Sequence, residues 1–498
     1  MGAGFLSALM LHPFIRWLGR RCLRWFYRER CFVGLERIPS HGPVLLIGNH
    51  PNDLPDVLAG FLTTTRPLRY VATISGAASA PARAAYRGLG VIPVTRVRDA
   101  RRMREQGVDA AAMNADAFRR VSDALREGAV VGVFPEGGVH DGPSLGHFRA
   151  GVSKMALESA VDAGVRDLVV LAFGVHYDAP RTVRSDMTVV VGAPFVVQDW
   201  LAAPGALDSV GTDARAPARL ALAMRHRMQD ALLAVTRNAR SWEDAAARDR
   251  ISATVAAVIT EPRTSLRVVA ADVARELDRG GVPDESVGEH ARLIAAAVAH
   301  AGGIATSPRD CARVLDAAGR RGGVPLWPSI TRTTVATPIA LLGWLTHGPA
   351  FAGIWRMAQR TAQDRAQIVA RAFVPGVYLI LCWYLLLTVG AAVTLATAGR
   401  PLWLAIPLLV LLPRLGDIAV AWRDALAAWR LRFRVRRWSA ADRAALCTAA
   451  DALRIAWLSH ESSAAVKAVA QESTLESAQE SAQESAKESG KESGKESA

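Results

Sequence analysis

Between residues 372 and 398 this 498-residue chain carries no charged side chain. A helix starting at Pro375, a favoured first-turn residue, and ending at Ala398 spans about 36 Å at 1.5 Å per residue. That exceeds the ~30 Å hydrocarbon core of a bilayer, so the stretch predicts a tilted transmembrane helix. After the turn Gly399-Arg400-Pro401, the run Leu402 to Pro413 is too short alone. It is expected to continue past Arg414 and Asp417 to Trp422 as the return limb of a transmembrane hairpin at about 375–422. Arg356, Arg360, Arg365 and Arg371 precede the hairpin, and Arg423, Arg430, Arg432, Arg434, Arg436 and Arg437 follow it, while only Arg400 marks the turn. By the positive-inside rule both ends face the cytoplasm. A second uncharged stretch, Thr333 to Trp355, is interrupted by Pro338, Gly343, Gly348 and Pro349. It reads equally as re-entrant, interfacial or buried in a soluble part of a membrane-associated region at 331–440.

Composition agrees with a chain partly in lipid, because its 51% hydrophobic content exceeds the ~45–50% usual in soluble proteins. The net charge of +14 is carried mostly by arginine. Those arginines sit beside apolar stretches rather than in a stripe of their own, which favours membrane lipids as partners and argues against nucleic acid. Five scattered cysteines, Cys22, Cys31, Cys311, Cys382 and Cys447, form no metal-like or disulfide spacing and fit a reducing compartment. In residues 1–30 the arginines Arg16, Arg20, Arg21 and Arg24 follow the apolar run instead of preceding it, unlike a cleavable signal. With Phe14, Trp17, Leu18 and Trp25 among them they read as an amphipathic membrane-interface segment. The alternative is a surface helix that packs its aromatics on the core.

From about Cys31 to Val197 short apolar runs alternate with helical segments. Strands are expected at 43–48, 68–73, 89–95, 128–134, 168–175 and 187–193, and helices near 54–63, 110–127 and 149–163, which makes 31–200 an α/β domain with a mixed sheet flanked by helices. Over 205–330 a 3.6-residue period rich in Ala, Leu and Arg predicts an all-α domain. The tail at 463–498 repeats Glu-Ser every four residues, from Glu472 to Glu496, and is expected to be disordered.

Two strand exits carry candidate chemistry. Val44-Leu45-Leu46-Ile47 leads into Asn49-His50-Pro51-Asn52-Asp53-Leu54-Pro55-Asp56, and Val130-Val131-Gly132-Val133 leads into Phe134-Pro135-Glu136-Gly137-Gly138. Strand exits are where α/β proteins place ligands. A neutral imidazole fixed by a carboxylate can take a proton from a hydroxyl, and His50 with Asp53 or Asp56 has the residue types for it. The competing reading is structural, with Asp53 capping the helix that begins at Leu54 and Asp56 complementing its dipole. Glu136 stands in a sharp turn whose glycines admit a close ligand. Arg96, ending Gly90-Val91-Ile92-Pro93-Val94-Thr95-Arg96, offers a planar fork of donors suited to phosphate.

The order of these three segments, strand-Asn-His-Pro-x4-Asp, then Gly-x-Ile-Pro-Val-x-Arg, then Phe-Pro-Glu-Gly, resembles the glycerolipid acyltransferase family over roughly residues 31–200. That family includes lysophosphatidate and glycerol-3-phosphate acyltransferases. The resemblance implies catalytic roles for His50, as general base on the acceptor hydroxyl, and for Asp56, orienting it. It implies that Arg96, Glu136 and Gly137 bind substrate, Arg96 on the phosphate and Glu136 on polar groups of the acceptor or the catalytic loop. It implies a co-substrate, acyl-CoA or acyl carrier protein, and calls for no metal or other cofactor. Five residues separate His50 from Asp56 where four are commoner, a spacing similar to that of the fungal-type glycerol-3-phosphate acyltransferase branch. Residues Gly138-Val139-His140-Asp141 also resemble that branch, with Val139 in place of its serine, and Leu171-Ala172-Phe173-Gly174-Val175 lacks the proline of the family's fourth motif.

The resulting expectation is a membrane-bound acyltransferase of phospholipid biosynthesis, its site on the cytoplasmic face, acting on glycerol-3-phosphate or 1-acylglycerol-3-phosphate. Alternatives are transfer to another lysophospholipid, a metal-dependent phosphohydrolase using His50, Asp53, His140 and Asp141, and a non-catalytic membrane-tethered lipid-binding protein.

Overall fold

The computed structural model describes residues 3–73, 80–95, 105, 109–140, 142–178, 184–203, 215–260, 265–280, 285–320, 327–361 and 368–460. Arg96, Asp141 and the Glu-Ser tail lie outside the described residues. The amino-terminal part is a mixed sheet. In chain order it comprises α1 (Ala3–Phe26), β1 (Tyr27–Val33), β2 (Val44–Gly48), α2 (Leu54–Thr63), β3 (Leu68–Thr73), α3 (Ala80–Gly88), β4 (Ile92–Val94), α4 (Ala110–Arg126) and β5 (Val130–Val133). Then follow α5 (Gly151–Leu157), β6 (Val169–Tyr177), β7 (Ser185–Val191), β8 (Phe195–Val196), α6 (Val197–Ala202) and α7 (Ala216–Leu233).

The strand order is β1-β7-β6-β2-β5-β3-β4, with β8 beside β6. Strand β2 is buried along its whole length, as an apolar run covered on both faces must be, and it lies parallel to both β5 and β6. Because Ile47 is level with Val133, the turns that carry His50 and Glu136 leave the sheet side by side. One face packs on α4, α5 and α7 through Val121, Leu125, Met155, Met224 and Leu232. The other packs on α1 and α2 through Leu23, Ala59, Phe61, Tyr70 and Phe173. Fully buried leucines such as Leu45 and Leu46 each stabilise the fold by about 1.5–3 kcal/mol.

Strand β1 is absent from the strands expected of the sequence. Its residues Arg28, Glu29 and Arg30 look like a solvated turn, yet they form an edge strand parallel to β7, where charge is tolerated. Arg28 donates to Asp186 of β7 at 2.9 Å and to Asp310 at 3.0 Å. Arg267 pairs with Asp178 and with Asp186. Burial alone would raise the Asp186 carboxyl, but the guanidiniums of Arg28 and Arg267 overcome it and hold the group well below the usual carboxylate range.

These ion pairs join the sheet to a second, helical core. Helices α8 (Trp242–Ile259), α9 (Leu266–Gly280), α10 (Glu285–His300) and α11 (Pro308–Ala318) surround Val255, Val298 and Leu315. A helix at 440–460 closes that core with Leu453 and Trp457. The region expected as one all-α unit at 205–330 is therefore divided, since Met224 and Leu232 of α7 are buried against the sheet.

The apolar region forms α12 (Trp327–Thr361), α13 (Ile368–Thr397), a short turn at Leu402–Ala405 and α14 (Leu408–Arg436). Two stretches, Tyr378–Thr397 and Leu402–Arg436, are long and apolar enough to cross a membrane by length and composition. Both pack on α12. Going up α12, His347 meets Tyr384 at 2.9 Å and Ile354 meets Gly376, so α13 runs opposite to α12. Thr337 meets Trp422 at 3.1 Å, Gly343 backs onto Ala419, and His347 onto Gly416, so α14 also runs opposite to α12. Tyr384 and Gly416 both meet His347, so the chain leaves that residue along α13 and returns to it along α14 after the turn at Gly399. The connection after α13 doubles back, so that Leu408 and Leu412 rejoin Ile380 and Tyr384 in one cluster. The stretch Thr333 to Trp355, open in sequence, is continuous helix through Pro338 and Pro349.

Candidate active site

Strand β2 ends at Gly48, and the next residue locks the exit. Asn49 forms a two-way bond with the neighbouring strand, its Nδ2 donating to Val175 O at 3.1 Å and its Oδ1 accepting from Val175 N at 2.7 Å. The chain then turns through Asp53, whose φ of 55° and ψ of −119° lie in a region an L-residue occupies only under strain. Asp53 stands at the helix N-cap position but its side chain makes no capping hydrogen bond. The capping reading of this residue is thus overturned, and it does not reach His50.

Asp56 does. It lies in the first turn of α2, fully buried, with Oδ2 3.0 Å from His50 Nδ1. The same oxygen accepts the Asn52 backbone N–H at 2.7 Å, and Oδ1 accepts the Tyr177 hydroxyl at 2.6 Å. Burial pushes the Asp56 carboxyl up from its ordinary value, opposed by the bonds from His50, Tyr177 and Asn52. As a carboxylate it requires a proton on His50 Nδ1, which leaves the Nε2 lone pair free to act as a base. Phe134, at the exit of β5, stacks on the imidazole at a centroid distance of 4.1 Å and 9°, confining the ring to one plane.

Glu136 reaches the same loop from the adjacent strand. Its Oε1 accepts the backbone N–H of His50 at 2.8 Å, and its Oε2 accepts that of Gly146 at 3.0 Å. His140 Nε2 pairs with Oε2. His140 Nδ1 accepts from Gly142 N at 3.1 Å, which assigns the donor proton to Nε2. Glu136 is buried, and its carboxylate binds the loop that carries His50. Gly137 has φ 69°, and a Cβ there would collide with Arg149, whose Nε donates to Glu136 O at 3.0 Å. Among the described residues no group of three or more His, Cys, Asp or Glu side chains is placed to hold a metal ion.

The residues 29–174 that contain both turns match the family model described as Acyltransferase. The likeness to that family is confined to this stretch of the chain. Its relatives include glycerol-3-phosphate O-acyltransferase 2 of Saccharomyces cerevisiae, 39% identical over 84 residues, which are 17% of this chain and 11% of that protein. An uncharacterized acyltransferase of Schizosaccharomyces pombe is 35% identical over 80 residues, 16% of this chain and 12% of that one. A solved 1-acyl-sn-glycerophosphate acyltransferase of Thermotoga maritima aligns with a TM-score of 0.30 at 14% identity, covering 43% of this chain and 77% of that one.

A cavity of about 550 Å³ opens beside His50 and Asp56. Its wall is built from Asn49, Pro51 and Asn52, which flank His50 without including it, from His140 and Tyr177, and from Arg237 of the segment after α7. His176, also on the wall, is pulled down to about 3, first by burial and then by Arg237, so it stays neutral. Tyr177 was not legible as a site residue. It ends an apolar strand 121 positions after Asp56, and only the sheet order brings the two together. The same holds for Tyr27, whose hydroxyl receives Asn52 Nδ2 at 2.8 Å.

Proposed function

We propose that this protein is a membrane-attached O-acyltransferase of phospholipid biosynthesis, moving a fatty acyl group from acyl-CoA or acyl carrier protein to a hydroxyl of glycerol-3-phosphate or 1-acylglycerol-3-phosphate. The observation that carries the reading is the His50–Asp56 contact of 3.0 Å inside the stretch that matches the Acyltransferase family model. His50 Nε2 takes the acceptor hydroxyl proton as the oxygen attacks the thioester carbon. The C–O bond forms, the C–S bond breaks, and the imidazolium returns its proton to the departing thiolate. Asp56 holds the imidazole in the required tautomer and stabilises its cationic form. Glu136 fixes the loop on which His50 rides, and Arg96 binds the acceptor phosphate. The exposed apolar helices of the carboxy-terminal half attach the enzyme to the bilayer, with the flanking arginines on the cytoplasmic side.

The test is acyl transfer from labelled acyl-CoA to glycerol-3-phosphate and to 1-acylglycerol-3-phosphate in parallel, by purified detergent-solubilised protein, with His50→Ala as control. Transfer to one acceptor, lowered about 10²–10⁴-fold in the variant, is expected. Turnover by His50→Ala near that of the parent would end the reading.

A further inference from the structure

The cavity of about 550 Å³ beside His50 has walls of two origins. One is the exit edge of the sheet, with Asn49, Asn52 and residues 175–178. The other belongs to the helical half, with residues 236–239 after α7, Trp242, Ala245 and Ala246 of α8, and Ala274 of α9. This second wall lies outside residues 29–174. Its alanines leave room where larger side chains would close the space, and the volume falls in the ~300–1,000 Å³ range of small-molecule sites.

Each charged side chain of the lining has a partner within the protein. Arg237 pairs with Asp249, Arg248 with Asp244 and Asp278, and Asp178 with Arg267. Among the described lining residues no unpaired cation is left for a phosphate. What stays open is a pair of hydrogen-bond acceptors. Asn52 is 2% exposed; its Nδ2 donates to the Tyr27 hydroxyl, and its Oδ1 has no partner among the described residues. His176 Nε2 donates to Val235 O at 2.8 Å, so the neutral ring keeps a bare lone pair on Nδ1. Acceptors left bare in so enclosed a place call for N–H or O–H groups of a ligand. The matching ligand is uncharged along the cavity, largely apolar, and carries such donors at intervals. Glycerol-3-phosphate does not match, because its phosphate stands within three carbons of the attacking hydroxyl. The pantetheine arm of an acyl thioester does, being neutral from the sulfur through both amides to its terminal phosphate. Trp242, half exposed, and the exposed Arg240 two residues before it offer an aromatic face and a cation to that end.

We propose that this cavity seats the phosphopantetheine arm shared by acyl-CoA and acyl carrier protein, with Asn52 Oδ1 and His176 Nδ1 accepting its amide N–H groups and the helical half forming the outer wall. This rests on the reading of the protein as an O-acyltransferase. It brings the thioester to His50 from the side of α8, and leaves the acceptor phosphate outside the cavity.

Calorimetric titration of the purified, detergent-solubilised full chain tests it, with pantetheine, coenzyme A, holo acyl carrier protein and glycerol-3-phosphate as separate probes. Ala246→Phe fills the cavity from α8, and Ala245→Leu is a milder filling from the neighbouring position; thermal unfolding shows which of them is folded. Pantetheine is expected to bind the parent and to bind the folded variant at least about tenfold more weakly, while the glycerol-3-phosphate affinity stays within about twofold. Coenzyme A weakening alongside pantetheine would identify the nucleotide-borne arm as donor, and holo carrier protein weakening instead would identify the protein-borne one; either supports the site. A parent that binds none of the three arms, or arm binding that ignores both fillings, overturns it. Loss of glycerol-3-phosphate binding in the variants would give the cavity to the acceptor and overturn it as well. Acyl transfer by the same proteins separates this site from the reaction it serves. Transfer whose donor KM is unmoved by the filling removes the site and keeps the reaction, whereas arm binding without transfer to any acceptor keeps the site and removes the reaction.

Discussion

Two buried carboxylates stand beyond the ends of adjacent strands, Asp56 in the first turn of α2 and Glu136 in the turn after β5, and both grip His50, but at different atoms. Asp56 meets the ring at Nδ1, while Glu136 meets the backbone N–H. The first contact changes with the protonation state of the imidazole and so belongs to the chemistry. The second is the same at every stage of a reaction and can only position. Their surroundings differ accordingly. Asp56 takes donors from a ring, a hydroxyl and an amide, whereas Glu136 takes two amides and His140, tying the turn after β2 to the loop that follows β5.

Substitutions can separate the two roles. Asp56→Asn should lower kcat about 10²–10⁴-fold with little change in the acceptor KM, because the amide favours the wrong tautomer without emptying the site; steady-state kinetics against both variables would show it, and a loss confined to KM would contradict the division. Glu136→Gln should cost activity only about tenfold but lower stability by ~1–3 kcal/mol, since the amide NH₂ turns a donor toward a backbone N–H and leaves it unpaired. Thermal unfolding in detergent should register that loss more clearly than for Asp56→Asn. Tyr177→Phe removes one bond to Asp56 and is expected to reduce kcat by about threefold to tenfold, compounding less than additively with Asp56→Asn because both act through one carboxylate. Smallest in turnover is Gly137→Ala, which forces a side chain into φ 69° and should lower stability by about 1–2 kcal/mol while kcat stays within about twofold. A large kcat effect there would mean that the second turn touches the reacting atoms.

The central sheet was legible because burial on two faces leaves an apolar run with punctuated ends. The predicted strand at 43–48 and helix at 54–63 coincide with β2 and α2 almost residue for residue. Strand β1 was hidden because Arg28 finds its partners, Asp186 and Asp310, far along the chain. His50, Asp56 and Glu136 stood out through their spacing after strands, but spacing could not say which atom of His50 each carboxylate would hold. Tyr177 is unreadable for the same reason, being a long-range partner that looks like core. The apolar segments were legible as apolar, but the sense in which they run depends on tertiary contacts such as Trp422 with Thr337, about which hydropathy is silent.

The stretch that matches the family ends at residue 174, in the middle of β6. A fragment cut there would lack Tyr177, the antiparallel partner β7, and the guanidinium of Arg267 that lies against Asp178 and Asp186. The boundary of inherited resemblance is therefore not a boundary of cooperative folding. Proteolysis within the helical half is expected to extinguish activity in step with the loss of that ion-pair network, even though every bond cut lies outside the dyad.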